Sequence, residues 1–224
     1  KFSPDGEFLL MIGGEVNKTQ VKKREEQEAN AEPVTVTEAE ENLCTAASGD
    51  VCGAGTSGAG AGQFKSLGFK DPIELGPSGT IYVGDQDRIQ KFDEDGSYKG
   101  EISLPGAGKT ESLALSPDGR LYVISAAVTE PIDIGSEVVN SKVVREIGPS
   151  GEELDRLTGE WEERKTPREP VAVAVDAEGN VYVIGKVVYS VPVKEGEPPK
   201  FKEVEEVLAF DDEGRDLSGF VLEV

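Results

Sequence analysis

Short apolar segments recur along this chain in a fixed order with glycine between them. One element reads Ile73-Glu74-Leu75-Gly76-Pro77-Ser78-Gly79-Thr80-Ile81-Tyr82-Val83. It returns as Leu113-Ala114-Leu115-Ser116-Pro117-Asp118-Gly119-Arg120-Leu121-Tyr122-Val123, and again as Val173-Ala174-Val175-Asp176-Ala177-Glu178-Gly179-Asn180-Val181-Tyr182-Val183. The flanks alternate β-branched and aromatic residues, as pleated strands prefer. Pro or Asp sets the bend, and glycine takes a φ that other residues resist. Each copy therefore predicts a β-hairpin.

A second element follows each copy. Its members are Ile89-Gln90-Lys91-Phe92-Asp93-Glu94-Asp95-Gly96-Ser97-Tyr98, Val143-Val144-Arg145-Glu146-Ile147-Gly148-Pro149-Ser150-Gly151-Glu152, and Val207-Leu208-Ala209-Phe210-Asp211-Asp212-Glu213-Gly214-Arg215. The opening Lys1-Phe2-Ser3-Pro4-Asp5-Gly6-Glu7-Phe8 aligns with residues 91–98. With the strands of one unit lettered A to D, the first element is hairpin A–B and the second is hairpin C–D. Four antiparallel strands with two glycine turns make one propeller blade. The expected fold class is all-β, a β-propeller of four-stranded antiparallel blades in an incomplete ring. The expected parts are 1–12, the second half of a blade; 13–67, a charged, Gly-rich insertion with a Cys pair; and blades over 68–104, 109–158 and 168–220. Residues 220–224 are read as the start of a further A strand. The repeated glycines Gly6, Gly79, Gly96, Gly119, Gly151, Gly179 and Gly214 are assigned to turns. Tyr82, Tyr122 and Tyr182 share one B-strand position, as an aromatic platform or as packing between blades.

Gly62-Gln63-Phe64, Pro72, Gly79-Thr80-Ile81-Tyr82-Val83, Asp85, Arg88-Ile89-Gln90-Lys91-Phe92 and Asp95-Gly96 fall in the order of an NHL repeat, which residues 62–102 resemble. The blades at 109–158 and 168–220 share only the hairpin turns of that pattern. The resemblance implies a six-bladed propeller as the parent. Related propellers serve in extracellular and cell-surface proteins, peptide lyases, lactonase-like enzymes and RNA-binding proteins, so fold alone does not choose among them.

Strand order places the A–B and C–D turns at one end of each blade and the other connections at the opposite end. Every long excursion belongs to the second class: residues 13–62, 125–141 and 185–203. Loops on a rigid scaffold carry recognition, while tolerated insertions cost little entropy; both readings stand. Residues 187–207 predict a hairpin growing beyond its blade, with its tip at 194–199, and residues 125–142 predict a second one. Residues 18–42 are dominated by charge and read as an exposed excursion, partly helical or disordered. Thr37 with Glu40 predicts a capping box on a short helix ending near Leu43.

Cys44 and Cys52 fit neither a C-x-x-C redox motif nor a zinc site. They are expected to form a local disulfide, with two free thiols as the alternative; a disulfide places the chain outside the cell or on its surface. The stretch 53–62 reads as a flexible lead into the next blade, without the Lys-Ser/Thr of a phosphate loop.

Charge narrows the partners. The chain carries 23 basic and 44 acidic residues, a net charge of -21. Such a surface repels phosphate backbones and anionic membranes, so neither nucleic acid nor membrane insertion is expected. There is no histidine, which removes the commonest general base and zinc ligand together. No cofactor or catalytic group is assigned. The candidate binding face is Asp85, Gln86, Asp87 and Arg88. There Asp85 and Arg88 form a turn-fixing ion pair, or Asp85, Gln86 and Asp87 instead contribute to a carboxylate-lined calcium site. Trp161 is either a plug under a loop or a contact residue. The expected function is a non-enzymatic scaffold presenting loops to a protein, peptide or glycan. The alternative is a calcium-dependent lactonase- or lyase-like propeller.

Overall fold

The computed structural model describes residues 1–65, 71–127, 132–134, 137–139, 142–157, 168–191, 200–211, 213, 215 and 217. The chain is mostly β, in antiparallel sheets with few helices. It divides into two compact units, one of Lys1–Phe69 with Leu75–Ile102, the other of Lys70–Glu74 with Ser103–Val224.

In the first unit, β1 (Leu10–Ile12) pairs with β2 (Leu43–Thr45), and Met11 lies opposite Cys44. Between them come α1 (Lys18–Ala29) and α2 (Glu38–Glu41). An isolated bridge joins Phe2 to Phe8 across the first glycine turn. The charged excursion is thus helical over α1. Asn17 caps α1 by accepting the Gln20 N–H at 3.2 Å. No residue of α1 is buried, so polar anchors hold it. Arg24 donates to Glu41 at 2.5 Å and to Glu15 at 3.1 Å. The capping box forms as the Thr37/Glu40 spacing predicts. Thr37 Oγ1 accepts the Glu40 N–H at 3.3 Å, and Glu40 Oε2 accepts the Thr37 N–H at 2.8 Å. The Thr37 N–H and the Thr37 hydroxyl, both donating to Glu40 Oε2, hold that carboxyl below its ordinary pKa. Cys44 and Cys52 form a disulfide with Cα atoms 5.6 Å apart.

The next strands are β3 (Ile73–Leu75), β4 (Ile81–Asp85), β5 (Arg88–Phe92) and β6 (Tyr98–Ser103), which form a sheet in chain order. In the second unit, β7 (Ala107–Leu115) and β8 (Leu121–Ala127) come first. Within the 125–142 excursion, β9 (Ile132–Ile134) then pairs with β10 (Glu137–Val139). The chain returns as β11 (Lys142–Ile147) and β12 (Glu153–Leu157), which complete a four-stranded sheet with β7 and β8. The last sheet joins β13 (Arg168–Val175), β14 (Val181–Val191) and β15 (Lys200–Phe210). The Leu217 N–H also donates to the Ala209 carbonyl at 2.7 Å, on the flank of β15 where a fourth strand runs in the preceding sheet. Strands β14 and β15 stay paired out to Val191 and Lys200. Trp161, Gly214, residues 194–199 and residues 220–224 lie outside the described residues.

The glycine turns share one hydrogen-bond frame. The N–H of the first residue donates to the carbonyl four residues on, and the glycine N–H donates back to the first residue's carbonyl. This holds at Ser3/Gly6, Asp93/Gly96, Ser116/Gly119, Gly148/Gly151 and Asp176/Gly179. The five glycines have φ from 82° to 93°, the left-handed region where a Cβ is strained. Asp93, Asp176 and Asp211 add a side-chain acceptor for the N–H groups two and four residues on, at 2.8–3.1 Å. Such a side chain mimics the backbone of a turn. The turn at 76–80 departs from this frame. Pro77–Gly79 make a single 3-10 turn, with positive φ at both Ser78 and Gly79.

Strand alternation gives each sheet two faces. On the β7–β12 sheet, Ala114, Tyr122, Ile124, Val144 and Leu157 share one face. That face packs against Val173, Val181, Val183, Leu208 and Phe210 of β13–β15, and all ten residues are buried. One face of a repeat thus closes on the opposite face of the repeat after it. Tyr122 takes the packing role at its repeat position.

Candidate functional site

The two-residue turn Gln86–Asp87 joins β4 to β5 and sets Asp85 opposite Arg88. Gln86 takes φ 58° there, and Asp87 is exposed. Asp85 and Arg88 are not. Their side chains are 0% and 5% exposed, and the guanidinium lies 2.9 Å from Asp85 Oδ2. An ion pair at a turn is ordinarily bathed in water; this one is covered by the chain that precedes the sheet. The Lys65 N–H donates to both Asp85 oxygens at 3.0 Å. Arg88 donates to the carbonyls of Ala59 at 2.6 Å and Gln63 at 2.9 Å, and to Glu101 on β6 at 2.8 Å. Gln90, two residues along β5 and fully buried, accepts the Gly62 N–H at 2.9 Å and donates to Gln63 O at 2.6 Å.

The Gly-rich stretch read as a flexible lead is therefore bound down. It is fixed again at Asn42, whose amide donates to Ala61 O at 2.8 Å. Its neighbourhood also demands close approach, since a Cβ on Gly14 would sit 2.4 Å from Thr56 O. A run of small residues looks mobile in sequence because nothing in it names the distant side chains that catch its carbonyls.

Burial alone would lower the Arg88 pKa, but its hydrogen bonds to Asp85 and Glu101 outweigh that and hold it above the ordinary value. Asp87 is held below the ordinary carboxylate range by Lys65, whose Nζ stands 2.6 Å away. Among the described residues, no group of three or more His, Cys, Asp or Glu is placed to hold a metal ion. Asp85, the carboxylate on which a calcium reading draws, gives both oxygens to protein donors.

A second buried guanidinium occupies the next sheet. Arg145 on β11 is 1% exposed and pairs across to Val123, as Gln90 pairs to Val83. It donates to Ser125 Oγ at 3.1 Å and to the Gly106 carbonyl at 3.3 Å, and it pairs with Glu153 on β12. Both sheets thus hold an arginine on strand C bonded to strand B, to a strand D carboxylate and to the lead-in of strand A. In the last sheet that position is Leu208, buried among aliphatic neighbours. Sequence reasoning missed Arg145. Its register with Gln90 and Leu208, on the face where Val123 and Ile147 are apolar, was the signal available.

No family model and no curated protein matches the chain. Among solved structures, the plexin A4 full extracellular region is similar over 64% of this chain and 26% of that one, with 9% identity and a TM-score of 0.33. So distant a likeness carries no argument. The NHL resemblance rests on its motif residues alone.

Among the described residues no helix is long and apolar enough to cross a membrane.

Proposed function

We propose that the chain is a β-propeller-type scaffold of a secreted or surface protein that presents loops from one end to a protein, peptide or glycan. The observation that carries this is the packing of two successive sheets built from one repeated sequence, a defined face of β7, β8, β11 and β12 closing on the opposite face of β13–β15. Repetition of that contact with a constant rotation builds a ring of blades. The disulfide supports an oxidising compartment.

The long excursions support the recognition role. Residues 13–62 carry α1, α2 and the Cys44–Cys52 bridge, 125–141 carry β9 and β10, and β14–β15 extend the third. By strand order, each leaves its own blade at the end away from that blade's A–B and C–D turns. Anchored helices and paired strands hold their shape before a ligand arrives, which lowers the ordering cost of binding. The buried Asp85–Arg88 pair serves this scaffold by locking the insertion's exit onto the sheet, leaving Gln86 and Asp87 at the turn itself.

Immobilised glycan and peptide arrays, probed with the chain and with a variant in which residues 187–204 become a two-residue turn, test the reading. A ligand held by the parent and lost by the variant supports it. A ligand held equally by both, and also by a variant lacking residues 18–36, refutes the loop role.

A further inference from the structure

An apolar cavity of about 200 Å³ lies within the first unit, where the 13–62 insertion meets the sheet of β3–β6. Ile12 of β1, Leu43 of β2, Phe92 of β5 and Tyr98 of β6 supply its walls. Phe92 and Gly62 are buried at its floor, and Ala39 and Ser97 are exposed at its mouth. Protein interiors are ordinarily packed without gaps larger than a water molecule. Fixed contacts on either side keep this gap from collapsing. Asn42 Oδ1 accepts the Glu15 N–H at 2.8 Å, and its amide donates to the Ala61 carbonyl at 2.8 Å. Leu43 already abuts the C–D turn, where a Cβ on Gly96 would sit 2.8 Å from it. A cavity of about 150 Å³ lined by aliphatic and aromatic side chains takes up benzene, so this one accommodates a single aromatic ring.

A second recess, of about 350 Å³, adjoins the first across Ala39 and Leu43, which line both. It adds two carboxylates, Glu40 and Asp50. Glu40 is held below its ordinary pKa chiefly by Thr37, and Asp50 chiefly by Asn17, whose amide donates to it at 2.9 Å. Both are therefore ionised at neutral pH. The donors to them, Thr37, Asn17, Ser48 and Gln20, are all neutral, and Lys23 acts on Glu40 through space. Among the described residues that line the two recesses, none is basic. A slot for one ring beside an anionic recess complements one chemistry, an aromatic group with a cation close by.

We propose that the two recesses bind an extended peptide segment in which an aromatic side chain and a lysine or arginine lie two residues apart, the ring entering between Leu43 and Phe92 and the cation facing Glu40 and Asp50. Alternate residues of an extended chain point the same way, which sets that spacing. The inference rests on the recognition reading of the excursions and names the ligand chemistry of one of them. Burial of the ring supplies affinity. The cation orients the peptide and speeds its encounter with a chain of net charge -21, and added salt weakens that part by screening.

Fluorescence anisotropy of the dye-labelled peptide Gly-Ser-Phe-Ser-Lys-Ser-Gly, titrated with the intact chain, reads this out. The expected result is saturable binding that weakens about tenfold or more when alanine replaces the phenylalanine. Ala39 is exposed, so Ala39→Phe folds, and circular dichroism verifies that. Its ring fills the part shared by both recesses and weakens binding about tenfold or more. Glu40→Gln with Asp50→Asn keeps the shape and the cap at Thr37 and removes both charges. That variant binds the lysine peptide about threefold to fivefold more weakly, and binds a peptide with norleucine in place of lysine as the parent does. No saturation at millimolar peptide overturns the proposal, as does equal binding by the parent and Ale39-blocked chain. Unchanged binding of the lysine peptide by the Glu40→Gln, Asp50→Asn variant overturns it too. The recognition reading stands or falls separately, on whether shortening residues 187–204 or removing residues 18–36 loses a ligand held on the arrays.

Discussion

Replacing Arg88 by methionine tests the covered turn most sharply. Methionine keeps much of the volume and removes the charge and all the donors. The Asp85 carboxylate, 0% exposed, then loses the counter-ion that stood 2.9 Å away, and the Ala59 carbonyl loses a donor at 2.6 Å. Breaking a buried pair from one side costs about 3–5 kcal/mol, whereas an exposed pair is worth about 0–1 kcal/mol. Global stabilities run only about 5–15 kcal/mol, so Arg88→Met removes a large share of the total. At about 2–4 °C per kcal/mol for a chain of this size, Tm falls by roughly 6–20 °C. Urea denaturation followed by tryptophan fluorescence and circular dichroism gives the equilibrium value. Asp85→Asn and the double variant complete a thermodynamic cycle. The neutral amide of Asp85→Asn needs no counter-ion, so the second substitution adds less than the first, with a coupling energy of about 2 kcal/mol or more. A loss under about 1 kcal/mol for Arg88→Met, with no coupling, would show that the pair is solvated and that the 59–65 segment is held by other means.

Other expectations follow from the turns and the disulfide. Gly119→Ala destabilises by about 1–2 kcal/mol, the strain of a left-handed φ alone, since a Cβ there meets nothing closer than Pro149 at 3.7 Å. Gly96→Ala costs more, because its Cβ would also sit 2.8 Å from Leu43; equal losses in thermal denaturation would contradict the packing of β2 on this turn. Asp93 is held below its ordinary pKa chiefly by Lys99, Asp176 chiefly by Asn180, and Asp211 by Arg215 against the opposing effect of burial. A depressed folded pKa gives stability that is present above the unfolded value and lost as pH falls through the folded one, so the loss begins below about pH 4. The triple variant Asp93→Asn, Asp176→Asn, Asp211→Asn flattens that acid limb relative to the parent, and parallel curves would refute the assignment. Replacing Cys44 and Cys52 by alanine costs about 2.5 kcal/mol in the chain-entropy account of so short a ring. Unchanged urea midpoints for parent and variant would remove the bridge from the stability account.

The sheets were legible because their period and turns are local. Asp93-Glu94-Asp95-Gly96 and Asp176-Ala177-Glu178-Gly179 state the bend within four residues, and the structure builds them on one frame. The capping box of Thr37 and Glu40 was legible for the same reason. The helix α1 was legible only as a charged run, because its hold on the protein comes from Arg24 meeting Glu41 and Glu15, which no local pattern announces. Asp85 and Arg88 were found by resemblance, but their burial was not, since the atoms covering them come from residues 59–65. Arg145 was missed because a charged residue in an apolar strand reads as an outward position; Ser125, Glu153 and the Gly106 carbonyl, which make it an inward one, lie elsewhere in the sheet.

The central claim is that a defined face of the sheet of β7, β8, β11 and β12 closes on the opposite face of β13–β15, the next copy of the repeat. Methyl-to-methyl nuclear Overhauser contacts test it directly, with Ile, Leu and Val methyls labelled in the intact chain. The account predicts cross-peaks joining Ile124 and Val144 to Val183 and Leu208, all members of one buried cluster. Their absence, or contacts from Ile124 to Ile147 in place of Val183, would contradict it.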